Sequence, residues 1–393
     1  MESAISQSIH IEERLFILSK AYESVSKYFA HWEDSKIALE DLDTYFPQFI
    51  KRVLETENRL SFTQLMLEFL AKLNNRHTIY FDLSATALID WDDTENILPI
   101  GFSFENIKGE WIVTESLLNG LTPGDQILTI NGQPFKQLVG DFSKYLHELH
   151  DLYRTGRLNL LFPLFMPAEK YSVEFFDKDN VKNQIEVNPY NIGRKDVMTE
   201  GRWLVHEKTA YIKIPSFQKP KYEADAVDFV GRFFSAKSII LDLRGNKGGS
   251  TPASLIKLLM NQRWRSYGLK TATKEYQPVY IEPDKKAYGG ELILLVDRDT
   301  GSAAEDLVVP FKDNGRAKII GERTWGSTGQ PYIFEKGEQR LCIGAVRASM
   351  PDGGLFEGIG IEPDIRVNKR REDFYERIDR YIEEALRLSL IQG

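Results

Sequence analysis

The sequence predicts an α/β core preceded by a helical region and a β-rich segment. Three observations carry this expectation. Apolar residues recur at helical spacing between about residues 11 and 75, short strand-like runs separated by many turns fill about 98 to 187, and strand and helix patterns alternate from about Trp203 onward. A chain of 393 residues exceeds one typical core. The boundaries are placed at 1–90, 91–195 and 196–393.

The helical region shows Leu15, Ile17, Leu18 and Tyr22, then Phe46, Phe49, Ile50, Val53 and Leu54, then Leu65, Leu67, Phe69, Leu70 and Leu73, with Ser61 as a cap for the last run. It closes at Asn74-Asn75-Arg76-His77-Thr78, and the β-branched and aromatic Ile79, Tyr80 and Phe81 suggest a strand. The β-rich segment centres on Gly120 to Gly132, reading GLTPGDQILTING, a loop, a strand and an Asn-Gly turn. In the core, strands are expected at Ala210–Pro215, Ile239–Leu243, Leu292–Val296 and Ala317–Ile320, and helices at Ala224–Phe234, Pro252–Met260 and after Ser302. Phe374, Ile378, Ile382, Leu386 and Leu390 predict one terminal helix over Glu372–Leu390.

Composition excludes some classes of partner. A net charge of −8 offers no general attraction for nucleic acid or an anionic membrane face. One cysteine, Cys342, rules out an intrachain disulfide and a cysteine-based metal cluster, and its strand-like surroundings fit a small buried side chain. The N-terminus has neither a basic leader nor a long apolar run, so a cytoplasmic protein is expected, a leader already removed being the alternative. His147 and His150 stand three apart on a predicted helix, but no further ligand completes a metal set. No metal or cofactor is expected.

Two segments point to chemistry. Asp242–Ser250 reads DLRGNKGGS and Thr300–Glu305 reads TGSAAE, and each follows a short apolar run, so both look like strand ends opening into a turn or helix. A glycine-rich turn offers bare backbone N–H groups, and a serine at a helix start offers a hydroxyl; acyl transfer needs both, together with a base. Ser302 and Glu305 also read as a capping box, and Gly245, Gly248 and Gly249 as a plain strand-to-helix turn. GNKGGS lacks the spacing of a phosphate-binding loop.

The GLTPGDQILTING phrase resembles the PDZ domain family, and Leu98–Phe104, LPIGFSF, resembles its carboxylate-binding loop, which implies Ile100, Gly101 and Phe102 as peptide-binding residues. With this segment placed before DLRGNKGGS and TGSAAE, nearly the whole chain resembles the C-terminal processing (tail-specific) serine proteases. That resemblance implies a core of Clp-protease and crotonase-like architecture with an inserted PDZ-like domain, and makes Ser302 the nucleophile. The Gly-Lys-Gly phrase that supplies the base in many members is replaced by Gly326-Ser327-Thr328-Gly329. The tricorn-like branch uses histidine, and Leu73-Asn-Asn-Arg-His77-Thr78 resembles its Leu-x-Asp-Gly-His-Thr phrase with Asn75-Arg76 in place of Asp-Gly. Imidazole suits the role because its pKa lies near neutrality. The closing phrase around Gly358–Asp364 implies Glu357 as the acid that orients His77, with Asp352 and Asp364 as alternatives and Ser327 as a supporting hydroxyl.

The expected reaction is therefore cleavage of peptide or unfolded protein, near the C-terminus, through an acyl-enzyme on a Ser302-His77-Glu357 triad. Backbone N–H groups of Ala303 and Gly248, or Gly249 in its place, would hold the oxyanion. Lys247, Lys312 and Lys318 are the nearby lysines if the base is not histidine. Two other classes remain open: a non-catalytic relative that binds peptides or apolar ligands, and a crotonase-like enzyme acting on an acyl-CoA thioester. Oligomeric state is not readable from the sequence.

Overall fold

The computed structural model describes residues 8–86, 98–146, 155–188, 197–327 and 329–391. The chain divides into two compact units. The first holds residues up to Lys195 together with Gln330–Val346 and Arg370–Arg377; the second holds Asp196–Gly329, Arg347–Lys369 and Ile378–Gly393.

The first unit begins with helices α1 (Ile11–Tyr28), α2 (Leu42–Glu55) and α3 (Arg59–Ala71). The start of α3 differs from expectation. Asn58, not Ser61, is the cap: its side chain accepts from Ser61 N at 2.9 Å, while Ser61 Oγ accepts from Asn58 N at 3.2 Å. Asn58 takes the cap because its extended backbone points the amide oxygen at the third helical N–H, so the serine is drawn inside the first turn. After α3 the chain turns through Asn74–Thr78 into β1 (Ile79–Asp82), which pairs antiparallel with Gln339–Gly344. That strand in turn pairs with Pro331–Lys336. Phe62, Phe69, Tyr80 and Ile343 are buried together in the core this makes. Cys342 is buried on the same hairpin, as its apolar neighbours suggest.

The β-rich part of this unit is an antiparallel sheet of β2 (Phe102–Ile107), β3 (Glu110–Ser116), β4 (Gln126–Ile130), β5 (Tyr171–Phe176) and β6 (Lys182–Val187), in that spatial order. Asn131 and Gly132 both take positive φ, 50° and 75°, as an Asn-Gly turn requires. Helices α4 (Phe135–Asp141) and α5 (Thr155–Phe165) lie between β4 and β5 in sequence. Alternate residues Tyr171, Val173 and Phe175 of β5 are buried, the period of a sheet with one covered face. His147 and His150 lie outside the described residues.

The second unit runs β7 (Glu200–Val205), β8 (Thr209–Lys213), α6 (Pro220–Arg232), β9 (Ser238–Asp242), α7 (Ala253–Leu259), β10 (Glu291–Val296), α8 (Ala303–Asp313), β11 (Lys318–Gly321), β12 (Ile365–Arg366) and α9 (Arg380–Ile391). Its sheet has the order β12-β11-β10-β9-β8-β7, parallel throughout except for the β7–β8 hairpin. Both faces are buried. Leu292, Leu294 and Val296 of β10 join α6, α7 and α8 in one core, while Ile293 and Leu295 join Tyr381 and Ala385 of α9 in another. This is why the core strands read as continuous apolar runs rather than alternating ones.

The single helix expected over Glu372–Leu390 is broken. Arg377 takes a left-handed φ of 55°, separating a short helix, Arg371–Glu376, from α9. The cause is anchoring: Arg371 Nε donates to Gly124 O at 2.9 Å and Tyr375 OH to Asp125 Oδ1 at 3.0 Å, so the short helix is held on the β-rich part of the first unit. Among the described residues, no helix is long and apolar enough to cross a membrane.

Candidate active site

Strand pairing brings the two chemically suggestive segments together. β9 and β10 are parallel neighbours, so the turns leaving their C-terminal ends, Leu243–Pro252 and Asp297–Ser302, lie side by side, where open α/β sheets bind ligands. Thr300 Oγ1 donates to Leu243 O at 3.0 Å, and Gly301 N donates to Asn246 O at 2.9 Å. The two turns are thus one hydrogen-bonded body.

Ser302 stands at the junction of β10 and α8 with φ 52° and ψ −123°. A non-glycine residue at positive φ carries strain of order 1–3 kcal/mol and is a frequent mark of a reactive position. The capping alternative is half realised. Glu305 reaches back to accept from Ser302 N at 3.2 Å, whereas the Ser302 side chain makes no cap hydrogen bond.

The glycine turn is pressed against this serine. A Cβ on Gly248 would lie 2.6 Å from Ser302 Cβ and 2.8 Å from Ala303 N, so only glycine allows the approach. Gly248 N donates to Asn246 Oδ1 at 2.9 Å, and Gly248 O accepts from Phe217 N at 2.8 Å. The Gly249 N–H shares its trans peptide plane with that carbonyl and so points away from Phe217. It meets no acceptor among the described residues.

Glu305 is the residue whose role the sequence concealed. It is fully buried, yet its carboxylate accepts from Ser302 N, from Gly326 N at 2.7 Å, from Ser327 N at 2.8 Å and from the Thr324 hydroxyl. A buried carboxylate tolerates desolvation when charge-assisted donors surround it. Its N3 position signals a cap, but nothing in the sequence signals the donors of Thr324–Ser327.

Those donors belong to a loop stitched to the segment carrying Glu357. Thr324 N donates to Ile361 O at 3.1 Å, Ile361 N to Thr324 Oγ1 at 2.7 Å, and Gly358 N to Gly326 O at 2.8 Å. Gly360 has no room for a Cβ, which would meet Thr324 O at 2.1 Å. Ser302, Ser327 and Glu357 are therefore linked through one framework in the second unit, with Ser327 and Glu357 both buried. The alternatives to Glu357 are otherwise engaged. Asp364 pairs with Lys312 at 2.8 Å and accepts from Ile319 N at 3.0 Å, while Asp352 accepts from Gly354 N within its own exposed turn. Lys312 is committed to that pair, Lys318 is exposed, and Lys247 is half-buried in the glycine turn itself.

His77 is described in the first unit, half-buried in the turn before β1. Its backbone is fixed by Asn75, one of the two residues that depart from the tricorn-like phrase. Asn75, fully buried, accepts at Oδ1 from His77 N at 3.1 Å and from Thr78 Oγ1 at 2.9 Å, and Thr78 Oγ1 accepts from Gly344 N at 3.0 Å. Ile100, Gly101 and Phe102 also lie in the first unit. Gly101 N donates to Leu98 O at 2.8 Å, Gly101 O accepts from Leu117 N, and the side chains of Ile100 and Phe102 are buried.

A serine held at strained φ beside a glycine turn, at the carboxyl ends of parallel strands, is an arrangement suited to nucleophilic chemistry at its hydroxyl. Residues 208–367 match the model of peptidase family S41, and the resemblance to the carboxyl-terminal processing and tricorn-like proteases holds. The chain is 23% identical over 375 residues to carboxy-terminal processing protease CtpA of Bacillus subtilis, covering 89% of this chain and 68% of that protein. It is 25% identical over 201 residues to the putative tricorn-like protease C-terminal subunit of Sulfurisphaera tokodaii, covering 49% of this chain but only 23% of that protein. The chain thus spans less than a quarter of the archaeal relative's length. The solved structure of mature CPAF in complex with lactacystin shares the fold, with a TM-score of 0.71 at 14% identity over 96% of this chain and 98% of that one.

Proposed function

We propose that the chain is a serine endopeptidase that cleaves peptides or unfolded proteins near their C-termini through an acyl-enzyme. The observation that carries this reading is Ser302, strained at the end of β10 with Gly248 packed on its Cβ. Ser302 Oγ attacks the scissile carbonyl carbon, and His77 takes the serine proton and returns it to the leaving amine. Glu357 orients the imidazole, and water repeats the attack on the ester. The oxyanion is held by the N–H groups of Ala303 and Gly249. Gly249 is preferred over Gly248 because the Gly248 N–H already donates to Asn246.

The test is hydrolysis of an unstructured peptide with an apolar C-terminus by the full chain. Ser302→Ala is expected to abolish turnover, and His77→Ala and Glu357→Gln to lower it. Turnover by Ser302→Ala at the wild-type rate would refute the assignment. An unchanged rate in His77→Ala, with loss in Lys247→Ala, would transfer the base to the lysine.

A further inference from the structure

Asp306 is one helical turn beyond Ser302, on the same face of α8. Its carboxylate is set in a poorly solvated position, and burial pushes it up to about 6 against the lowering effect of its hydrogen bond from Thr251. Among the described residues no Lys, Arg or His pairs with it. Thr251 Oγ1 donates to Asp306 Oδ2 at 2.6 Å. Thr251 itself closes the glycine turn, two residues after Gly249. The half-buried Tyr267 lies close enough that burial and then the Asp306 charge raise its hydroxyl to about 12, against the lowering effect of a hydrogen bond with Thr251.

A half-buried carboxylate without a cation beside it costs stability, so its single strong bond invites a reason. The oxyanion donors proposed above sit on two different elements. Ala303 N–H belongs to α8 and Gly249 N–H to the turn, so their separation depends on how the turn docks on the helix. The Gly248–Ser302 contact fixes one end of that docking, and the Thr251–Asp306 bond fixes the other. Nothing in the motifs DLRGNKGGS and TGSAAE requires this bond, because Thr251 and Asp306 each stand one residue beyond them.

We propose that Asp306 and Thr251 are positioning residues that hold the glycine turn on the nucleophile helix at the spacing the oxyanion needs. The inference rests on the peptidase reading of Ser302. Its effect falls on the transition state, since the substrate carbonyl makes weaker use of the two donors than the tetrahedral intermediate does.

The experiment measures kcat and KM for a fluorogenic unstructured peptide, and the rate of fluorophosphonate labelling, in the full chain. Thr251→Val and Asp306→Ala are expected to lower kcat about tenfold or more while KM stays within about twofold. The double variant should be no slower than either single one, because both remove the same bond. Thr251→Ser and Asp306→Asn keep a donor and an acceptor and should restore most of the rate. Should Thr251→Val fail to fold, Thr251→Ala removes the hydroxyl without a methyl in its place. Wild-type kcat in the folded Val, Ala and Asp306→Ala variants would overturn the inference, as would additive losses or an equal loss in Thr251→Ser. Absence of labelling and cleavage in the wild type would instead refute the peptidase reading, so the two failures are distinct.

Discussion

Two glycine-bearing loops, one in each unit, differ in what packs against them. At Leu98–Gly101 the N–H of Gly101, at φ 78°, closes on Leu98 O, and the carbonyl is taken by Leu117. The adjoining strand edge is also occupied: Phe104 N donates to Asn159 Oδ1, and Asn159 Nδ2 donates back to Phe104 O, both at 3.2 Å. The Asn159 amide of α5 thus stands where one residue of an added strand would pair. At Gly245–Gly249 the N–H groups of Gly245 and Gly248 donate to Asp297 and Asn246, whereas the Gly249 N–H meets no acceptor among the described residues. The two loops differ in what surrounds them: the second is packed on Ser302 through Gly248, whereas the first leads into a strand edge already bonded by Asn159.

The largest effect that can break this contrast is Ser302→Ala, expected to lower kcat at least about 10⁴-fold in steady-state peptide hydrolysis with the melting temperature retained. Next is Gly249→Ala. Its Cβ would meet the Phe217 carbonyl carbon at 2.2 Å, at a φ of +132°, so the turn must shift. A fall in kcat of about 10²-fold or more is expected, and wild-type kcat would return the second donor to Gly248. Smaller is Asn159→Ala, which strands two buried backbone groups on Phe104. It should cost about 1–3 kcal/mol by denaturant titration and speed exchange of the Phe104 amide. An unchanged exchange rate would show that the edge is not closed by this side chain.

The smallest effect is a pH dependence at Asp306. Its native pKa of about 6 lies above the ordinary 3.8. The native state therefore holds the proton more tightly, and stability falls as pH rises through that window. Asp306→Asn should melt higher than wild type above about pH 6, with the difference closing toward pH 4. A constant difference across that range would contradict the raised pKa of the carboxyl.

The motif residues explain how much of the site could be read in advance. Ser302, the glycine turn and the strands that deliver them are local patterns: apolar β9 and β10 run into glycine and serine, and parallel pairing does the rest. The replacement of the usual lysine phrase by Gly326-Ser327 was equally visible, because an absent side chain is a local fact. Glu305 was visible only as a cap, since its other donors come from Thr324–Ser327, brought in by the turn after β11. The Asn58 cap, the αL break at Arg377 and the Asn159 bridge were missed for a related reason. In each, tertiary partners select among local options that the periodicity leaves equivalent.

The central claim, that Ser302 is an activated nucleophile, is tested most directly by intact-mass and peptide-mapping analysis of the folded chain after treatment with a fluorophosphonate. One adduct per chain is expected, located on Ser302 and absent from Ser302→Ala. No adduct in folded protein that cleaves peptide, or an adduct on another residue that persists in Ser302→Ala, would contradict it.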